Sequence, residues 1–167
     1  LGIAALLVCG TALAGAEPPK AHEFAYPDIN PASASHGKTL ALGALYADSG
    51  IVLNFLASWC KFCWEEVPSL QKLDDAGTAT VVGIAADEYG PPDDLLRLLA
   101  QAKVTIPVLL VPQADIAAME SAYTHSVLPA TYLIDREGKI RSRFQGLARH
   151  DVLMREIEEY LGPADPS

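Results

Sequence analysis

The sequence predicts a single α/β domain in which helices flank a mixed central β-sheet. The chain has 167 residues, and at roughly 150 residues per domain this length suits one domain with its own core. Short apolar runs alternate with segments of helical periodicity, an order that favours a partly parallel sheet between helices. The last two apolar runs are separated by only a short polar segment, which predicts an antiparallel hairpin and therefore a sheet of mixed direction.

The first half of the predicted domain contains two buried strands and the helix between them. Residues 51–56 form a near-continuous apolar run, IVLNFL, which is typical of a strand covered on both faces. From Cys60 onwards apolar residues recur every three positions, which predicts a helix that Gly77 ends. Residues 80–86, TVVGIAA, predict the second buried strand.

The second half is predicted from the same signals. Two aspartates can cap the start of a helix over residues 93–103, and residues 136–138, REG, predict the hairpin turn. The other predicted elements, in chain order, are a strand at 107–111, a helix at about 115–123, strands at 130–135 and 139–144, and a helix at 151–161. Gly162 and Pro163 end the last helix.

The start of the chain is typical of an export segment. Residues 1–16 carry no charge and end in small residues, which fits the rule for signal peptidase. They are also shorter than the roughly 20 residues that a membrane span needs. We therefore expect a cleaved signal, with a retained anchor or lipidation at Cys9 as alternatives. Residues 17–36, rich in Pro, Ala and Ser, are predicted to be an irregular lead-in, and residues 37–167 the domain itself.

The overall charge argues against one class of partner. The chain has 12 Lys and Arg against 21 Asp and Glu, a net charge of -9. Binding to a phosphate backbone needs clustered Lys and Arg, and the densest basic stretch, 136–143, is interrupted by Glu137. We therefore expect no nucleic-acid partner, and we interpret the acidity as a contribution to solubility.

Cys60 and Cys63 are the chemically distinctive residues. The chain has three cysteines, and these two are the pair that remains once the export segment is removed. Cys60 lies just before the predicted helix, where unpaired N–H groups and the helix dipole favour a thiolate. Cys63 lies one turn further on, can close a disulfide with Cys60 and should be the less exposed. The pair predicts thiol–disulfide exchange, in which Cys60 attacks and Cys63 resolves the mixed disulfide, with no cofactor.

The two residues between the cysteines act on the thiol pKa in opposite directions. The charge of Lys61 should lower the pKa of the thiol, whereas desolvation by Phe62 should raise it. The sequence leaves the net effect open.

Other interpretations of the cysteine pair remain. Half of a zinc site would need two further ligands, and the histidines of the chain are widely scattered, so no metal site is expected. A purely structural disulfide is a second alternative. A copper chaperone that uses Cys60, Cys63 and His125 is a third, because Cu(I) prefers soft thiolate ligands. A peroxidase would want a Thr or Ser and an Arg near a single reactive cysteine, and that pattern is absent around Cys60.

Two stretches of sequence resemble the thioredoxin superfamily, in particular its exported TlpA/ResA branch of thiol–disulfide oxidoreductases. They are LNFLASWCKFCWEEVPSL at 53–70 and VLPATYLID at 127–135, the latter followed by Gly138 and Lys139. The resemblance covers residues 37–161. It implies a thioredoxin-like three-layer sandwich, with a central mixed β-sheet flanked by helices.

The resemblance also implies roles for residues around the cysteines. Pro129 is expected to be cis and to lie beside the pair, where the backbone groups of the preceding Leu128 are offered to an extended partner segment and proline removes an N–H from the site. Trp59 and Phe62 are expected to complete this substrate-binding surface. Glu66, three residues after Cys63, could accept or relay the proton of that cysteine.

Each of these roles has a plainer alternative. An acidic residue in the first turn of a helix is favoured by the dipole alone, and this explanation suits Glu65 as well as Glu66. Asn54 is expected to satisfy a buried polar contact, and Pro68 to kink the helix. His125 could approach the site, but a surface or capping role is favoured for it.

The function that the resemblance implies is that of an exported reductase. Such a protein would keep thiols of partner proteins reduced, for example in cytochrome c maturation, and would receive electrons from a membrane thiol donor. We expect a monomer that is periplasmic or otherwise extracytoplasmic. Disulfide oxidase or isomerase activity is the alternative, because the same fold can also insert or shuffle disulfides. Many relatives carry proline between the cysteines and a basic residue at the position of Trp64, and these departures bear on the redox potential and the partner. The loop at 87–92 is a candidate partner surface.

Overall fold

A computed structural model describes residues 17–87, 93–123 and 127–162. The strands are β1 Ala25–Pro27, β2 Thr39–Ala41, β3 Ile51–Leu56, β4 Thr80–Ala85, β5 Val108–Leu110, β6 Ala130–Ile134 and β7 Ile140–Gln145. The helices are α1 Leu42–Tyr46, α2 Lys61–Asp75, α3 Asp93–Gln101, α4 Ile116–Tyr123 and α5 His150–Tyr160. The predicted export segment, His125 and residues 88–92 of the predicted partner loop lie outside the described residues.

Five strands form the central sheet in the order β5-β4-β3-β6-β7. Strands β3, β4 and β5 are parallel, whereas β6 runs antiparallel to both β3 and β7. In the middle of the sheet Leu53 lies between Val82 on β4 and Tyr132 on β6. The predicted mixed sheet is therefore confirmed, and its direction changes between β3 and β6.

Helices cover both faces of the sheet, which explains why every residue of β3 is buried. On one face α2, α3 and α5 contribute Leu70, Leu99 and Leu153 to a core that also contains both cysteines. On the other face α1 and α4 contribute Leu42 and Met119 to a second core. The molecule thus has the three layers that the sequence predicts.

The segment before the sheet differs from the expectation of an irregular lead-in. Strand β1 lies within it and pairs antiparallel with β2, and Ala21, Phe24 and Tyr26 are buried in the second core. These three side chains are irregularly spaced over only six residues, too short a pattern to stand out against the neighbouring prolines. The folded unit therefore includes residues that the sequence analysis placed outside it.

The same segment crosses the second face of the sheet from one side to the other. At β7 the N–H of Ile140 donates to the carbonyl oxygen of Pro19 at 2.8 Å. At β5 the N–H of Ile29 donates to the carbonyl oxygen of Val108 at 2.9 Å. Residues 19–29 therefore connect the two outermost strands.

Two buried polar side chains fix the end of this crossing. Asp28 accepts hydrogen bonds from the N–H groups of Asn30 and Val108, each at 3.0 Å. The amide of Asn30 donates to the carbonyl oxygens of Val104 and Ile106 at 2.9 and 2.8 Å. Together they satisfy backbone groups at the start of β5 that the sheet leaves unpaired.

The turn before β3 depends on a close backbone approach. Gly50 has a φ of +72°, in the left-handed region that favours glycine. A Cβ atom at this position would lie 2.6 Å from the carbonyl oxygen of Ile134 and 2.8 Å from the side chain of Leu161. Glycine therefore allows β3 to enter the sheet directly beside the end of β6.

Among residues 17–87, 93–123 and 127–162, no helix combines the length and the apolar character that a bilayer span requires.

Candidate active site

The cysteine pair lies at the junction of β3 and α2. Cys60 is the N-cap residue of α2, with an extended backbone, and forms a disulfide with Cys63 in the first turn. Their Cα atoms are 5.3 Å apart, and the N–H of Cys63 donates to Sγ of Cys60 at 3.1 Å. Cys63 is the more buried, with 1% of its surface exposed against 5% for Cys60. An N–H group of the first helical turn therefore points at the sulfur that would carry the thiolate charge.

The loop that delivers Cys60 is held from two sides. Asp87, which follows β4, accepts hydrogen bonds from the N–H of Ser58 at 3.1 Å and from its hydroxyl. The indole N–H of Trp64 on α2 donates to the carbonyl oxygen of Ser58 at 3.1 Å. Neither Ser58 nor its contact with Asp87 is among the site residues that the sequence predicts. The available signal was that parallel β3 and β4 end at the same side of the sheet.

The residues that flank the cysteines are exposed. Trp59 and Phe62 have 70% and 55% of their surface accessible, so neither is part of the core. Lys61 lies on the surface with its ammonium 3.7 Å from the carboxylate of Glu65. Glu65 therefore offsets part of the positive charge that was expected to act on the thiol pKa.

The second motif brings Pro129 to the same end of the sheet. Ala130 pairs with Phe55 near the end of β3, so Pro129 lies just beyond it, toward the loop that carries Cys60. The Leu128–Pro129 peptide bond is cis, and the carbonyl oxygen of Pro129 accepts the N–H of Gly146 at 2.8 Å. Leu128 is partly buried against both cores.

Two exposed apolar residues that the sequence analysis missed accompany these motifs. Val127, next to Leu128, has 51% of its surface accessible, and Leu147, after β7, has 50%. With Trp59 and Phe62 they make up four of the five large apolar side chains that are exposed in the described part of the chain. Large apolar side chains that are exposed together at one end of the sheet indicate an interaction surface.

Glu66 is buried beneath this end of α2, with 2% of its surface exposed. Its Oε1 accepts the N–H of Ala148 at 2.8 Å, and its Oε2 accepts the amide of Asn54 at 2.9 Å and the hydroxyl of Thr131 at 3.4 Å. Burial raises the pKa of Glu66 above its usual value, and these three donors counteract part of that rise. Glu65, in contrast, is exposed and paired with Lys61, so the two neighbouring acids have different surroundings.

Asn54 connects Glu66 to the sheet. Its amide also donates to the hydroxyl of Thr131 at 2.9 Å, which places a polar group of β3 between α2 and β6. Asn54 does make the buried polar contacts expected of it, but its Oδ1 has no hydrogen-bond partner among the described residues.

Within the described ranges no group of three or more His, Cys, Asp or Glu side chains is arranged to hold a metal ion. The third residue of the copper alternative, His125, lies outside those ranges.

Comparison with known proteins places this geometry in a family. Residues 19–143 match the AhpC/TSA family. The chain belongs to that family. Its similarity to ResA-type proteins confirms the resemblance seen in the sequence. The chain is 29% identical over 114 residues to the thiol-disulfide oxidoreductase ResA of Geobacillus kaustophilus. It is 30% identical over 114 residues to the thioredoxin-like protein YneN of Bacillus subtilis.

These matches are partial in length. The ResA alignment covers 68% of this chain and 64% of that protein, and the YneN alignment covers 66% and 62%. The chain therefore spans a little under two thirds of these two curated relatives.

Solved structures confirm the thioredoxin-like fold. A protein of Chlorobium tepidum assigned as the thiol:disulfide interchange protein DsbE superposes with a TM-score of 0.72 at 25% identity, over 87% of this chain and 98% of that one. StoA of Bacillus subtilis superposes with a TM-score of 0.64 at 20% identity, over 80% and 95%. The second likeness concerns the fold alone.

Proposed function

We propose that this protein is a thiol–disulfide oxidoreductase that acts through Cys60 and Cys63. The observation that carries the proposal is the disulfide at the N-cap of α2, with a helix N–H directed at Sγ of Cys60. The names of the ResA relatives support the same chemistry. No cofactor is needed, because the electrons reside in the two thiols.

The reaction consists of two exchange steps. The Cys60 thiolate attacks one sulfur of a partner disulfide, a mixed disulfide forms, and the other partner sulfur leaves as a thiolate. Cys63 then loses its proton and attacks the sulfur of Cys60, which releases the second partner thiol and closes the Cys60–Cys63 disulfide. Two electrons pass from the cysteine pair to the partner. Glu66, one turn further along α2, accepts or relays the proton of Cys63.

Partner recognition is assigned to the exposed surface around the pair. Trp59 and Phe62 offer apolar contact on one side. On the other side Leu128 offers its backbone groups, positioned by the cis bond to Pro129. Lys61 modulates the thiol pKa, with its charge partly offset by Glu65. The partners are protein thiols and disulfides, and the net charge of -9 argues against nucleic acid.

The direction that we propose is reduction of partner disulfides in an exported compartment. Residues 1–16 would act as a cleaved signal or as an anchor, and the protein would work as a monomer supplied by a membrane thiol donor. Cytochrome c maturation is the proposed setting, because apocytochrome cysteines must be reduced before haem is attached. The exported TlpA/ResA-like character of the sequence supports this choice over a general oxidase.

The reduction potential of the Cys60–Cys63 pair tests the direction. Equilibration against defined thiol buffers should give a value near or below about -250 mV, at the reducing end of the thioredoxin scale. A value of about -120 to -180 mV would instead assign an oxidase or isomerase.

Two serine variants test the mechanism. C60S should abolish exchange with a model protein disulfide, because it removes the attacking sulfur. C63S should accumulate a mixed disulfide that non-reducing electrophoresis detects, because the resolving thiol is missing. Retained exchange by C60S would contradict the assigned roles.

A further inference from the structure

Asn54 is the residue that the proposed mechanism leaves unexplained. Its Oδ1 is the buried side-chain oxygen that has no hydrogen-bond partner in the described part of the chain. Buried polar groups are nearly always paired, so an exception at a functional site calls for a physical reason. The other end of the same amide donates to Glu66, the acid to which the proposed mechanism assigns a proton transfer.

The present orientation of the amide suits an ionised Glu66. Nδ2 of Asn54 donates to Oε2 of Glu66 and to the hydroxyl oxygen of Thr131, each at 2.9 Å. A carboxylate can only accept hydrogen bonds, and an amide nitrogen can only donate them. Both N–H bonds of Asn54 are therefore used while Glu66 carries its charge.

The surroundings of Glu66 determine where an added proton must lie. Oε1 accepts the backbone N–H of Ala148 at 2.8 Å, and that donor cannot change its role. We therefore place an added proton on Oε2, which faces the amide of Asn54. Oε2–H then needs an acceptor: Nδ2 cannot be one, and the hydroxyl of Thr131, whose contact with Oε2 is long at 3.4 Å, is a weak one.

A half-turn of the Asn54 amide supplies the missing acceptor. It places Oδ1 where Nδ2 now lies, at hydrogen-bond distance from Oε2 of Glu66 and from the hydroxyl of Thr131. Oδ1 can accept from both, because a carbonyl oxygen has two lone pairs. The turn also places the NH₂ group where Oδ1 now lies without a described partner. The cost of two unpaired N–H groups in place of one carbonyl oxygen keeps the present orientation while Glu66 is ionised, and the bond from protonated Glu66 opposes that cost.

We propose that Asn54 is a positioning residue with two orientations, donating to ionised Glu66 and accepting from protonated Glu66. The proposal rests on the proposed function insofar as the proton that arrives during exchange is that of the Cys63 thiol. In a pH titration the proton comes from solvent, and the reorientation is the same.

Charged groups around Glu66 do not offer a competing explanation. Strands β3 and β6 present neutral Asn54 and Thr131, and the segment after β7 presents a backbone N–H. On α2 the titratable neighbours are the cysteines, which are joined in the oxidised protein, and Glu65, which is exposed and paired with Lys61. Burial is the principal cause of the raised pKa of Glu66. Its protonation therefore depends on burial and on the three neutral groups that donate hydrogen bonds to it.

NMR spectroscopy of the oxidised full chain tests the proposal without any exchange assay. The Glu66 carboxyl carbon reports its own titration, and nuclear Overhauser effects join the Asn54 amide protons to the Thr131 methyl group. We expect these effects to weaken several-fold as Glu66 becomes protonated. Constant intensities through that titration would overturn the proposal.

The variant E66Q provides a neutral mimic, and E65Q is its matched control. The N–H of Ala148 keeps the glutamine oxygen at the Oε1 position, so the glutamine NH₂ takes the place of Oε2 and faces Asn54. E66Q should therefore show the weakened signals at neutral pH, whereas E65Q should resemble the wild type. A wild-type pattern in E66Q would contradict the proposal, while failure of the proposed function would instead appear as wild-type exchange by C60S.

Discussion

At the scale of single residues, the surroundings of Glu66 lead to a kinetic prediction. E66Q keeps the size of the side chain and its contact with Ala148 but cannot take up a proton. We expect exchange to slow by at least about tenfold, because a positioned general base contributes a factor of this order or more. Stopped-flow rates across a pH series would measure the effect.

The control for this prediction is the neighbouring acid. E65Q removes an exposed carboxylate that is paired with Lys61. Because exposed ion pairs are weak, it should shift the pH–rate profile only slightly and leave the maximal rate close to that of the wild type. If E66Q also left the profile unchanged, Glu66 would have no part in the proton transfer.

The raised pKa of Glu66 also predicts how stability depends on pH. Between the usual pKa of 4.5 and the higher folded-state value, the folded protein binds more protons than the unfolded chain. The stability that Glu66 contributes is therefore complete below pH 4.5 and is lost as pH rises through the folded-state pKa. Denaturant unfolding at several pH values measures this loss. As pH rises, the free energy of unfolding of the wild type should fall relative to that of E66Q. A difference that is flat or rises with pH would contradict the raised pKa.

Local spacing determines which site residues the sequence can suggest. Cys60, Cys63 and Glu66 lie within two turns at the start of a single helix, so their proximity can be expected before any fold is known. Asp87 and Ala148 meet their partners across 29 and 82 residues of sequence. Such contacts depend on how the strands are ordered, which no single-sequence pattern specifies.

At the scale of secondary-structure elements, the turn before β3 predicts the cost of adding one methyl group. G50A should lower the free energy of unfolding by about 2–4 kcal/mol: about 1 for a left-handed conformation and about 1–3 for overpacking against the end of β6. Denaturant titration would measure the loss.

A second glycine separates the two contributions. Gly77 also has a positive φ, of +62°, but a Cβ atom there would meet nothing within 4 Å. G77A should therefore cost only about 1 kcal/mol. Equal losses in the two variants would show that the contact with Ile134 carries no weight.

Element length explains which parts of the fold the sequence analysis could reach. Predicted strands at 51–56 and 80–86 correspond to β3 and β4, because near-continuous apolar runs of six or seven residues make a clear signal. Strand β5 has three residues but was predicted, because it lies within the apolar run at 107–111. Strands β1 and β2 also have three residues each and α1 has five, and these three elements were not predicted. These short elements form because the second face of the sheet must be covered.

At the scale of the whole molecule, the hydrogen bonds of Asn30 help to hold residues 19–29 against the sheet, and removing them tests that attachment. N30A removes both donors from the carbonyl oxygens of Val104 and Ile106 and leaves these buried groups unpaired. At about 1–3 kcal/mol for each unsatisfied buried group, we expect a loss of about 2–6 kcal/mol in the free energy of unfolding.

An exposed amide provides the comparison for N30A. Gln101 lies at the exposed end of α3, and Q101A should change the free energy of unfolding by no more than about 0.5 kcal/mol. If N30A behaved like Q101A, residues 19–29 would add little to the stability of the domain.

The path of residues 19–29 also bears on self-association. The outermost strands of an open sheet carry unpaired N–H and C=O groups that can recruit a second chain. Here a single segment bonds to both, at the start of β7 through Pro19 and along β5 through Ile29. Release of residues 19–29 would therefore expose unpaired backbone groups on both edge strands at once. We expect resistance to aggregation to be lost in one step when this segment detaches.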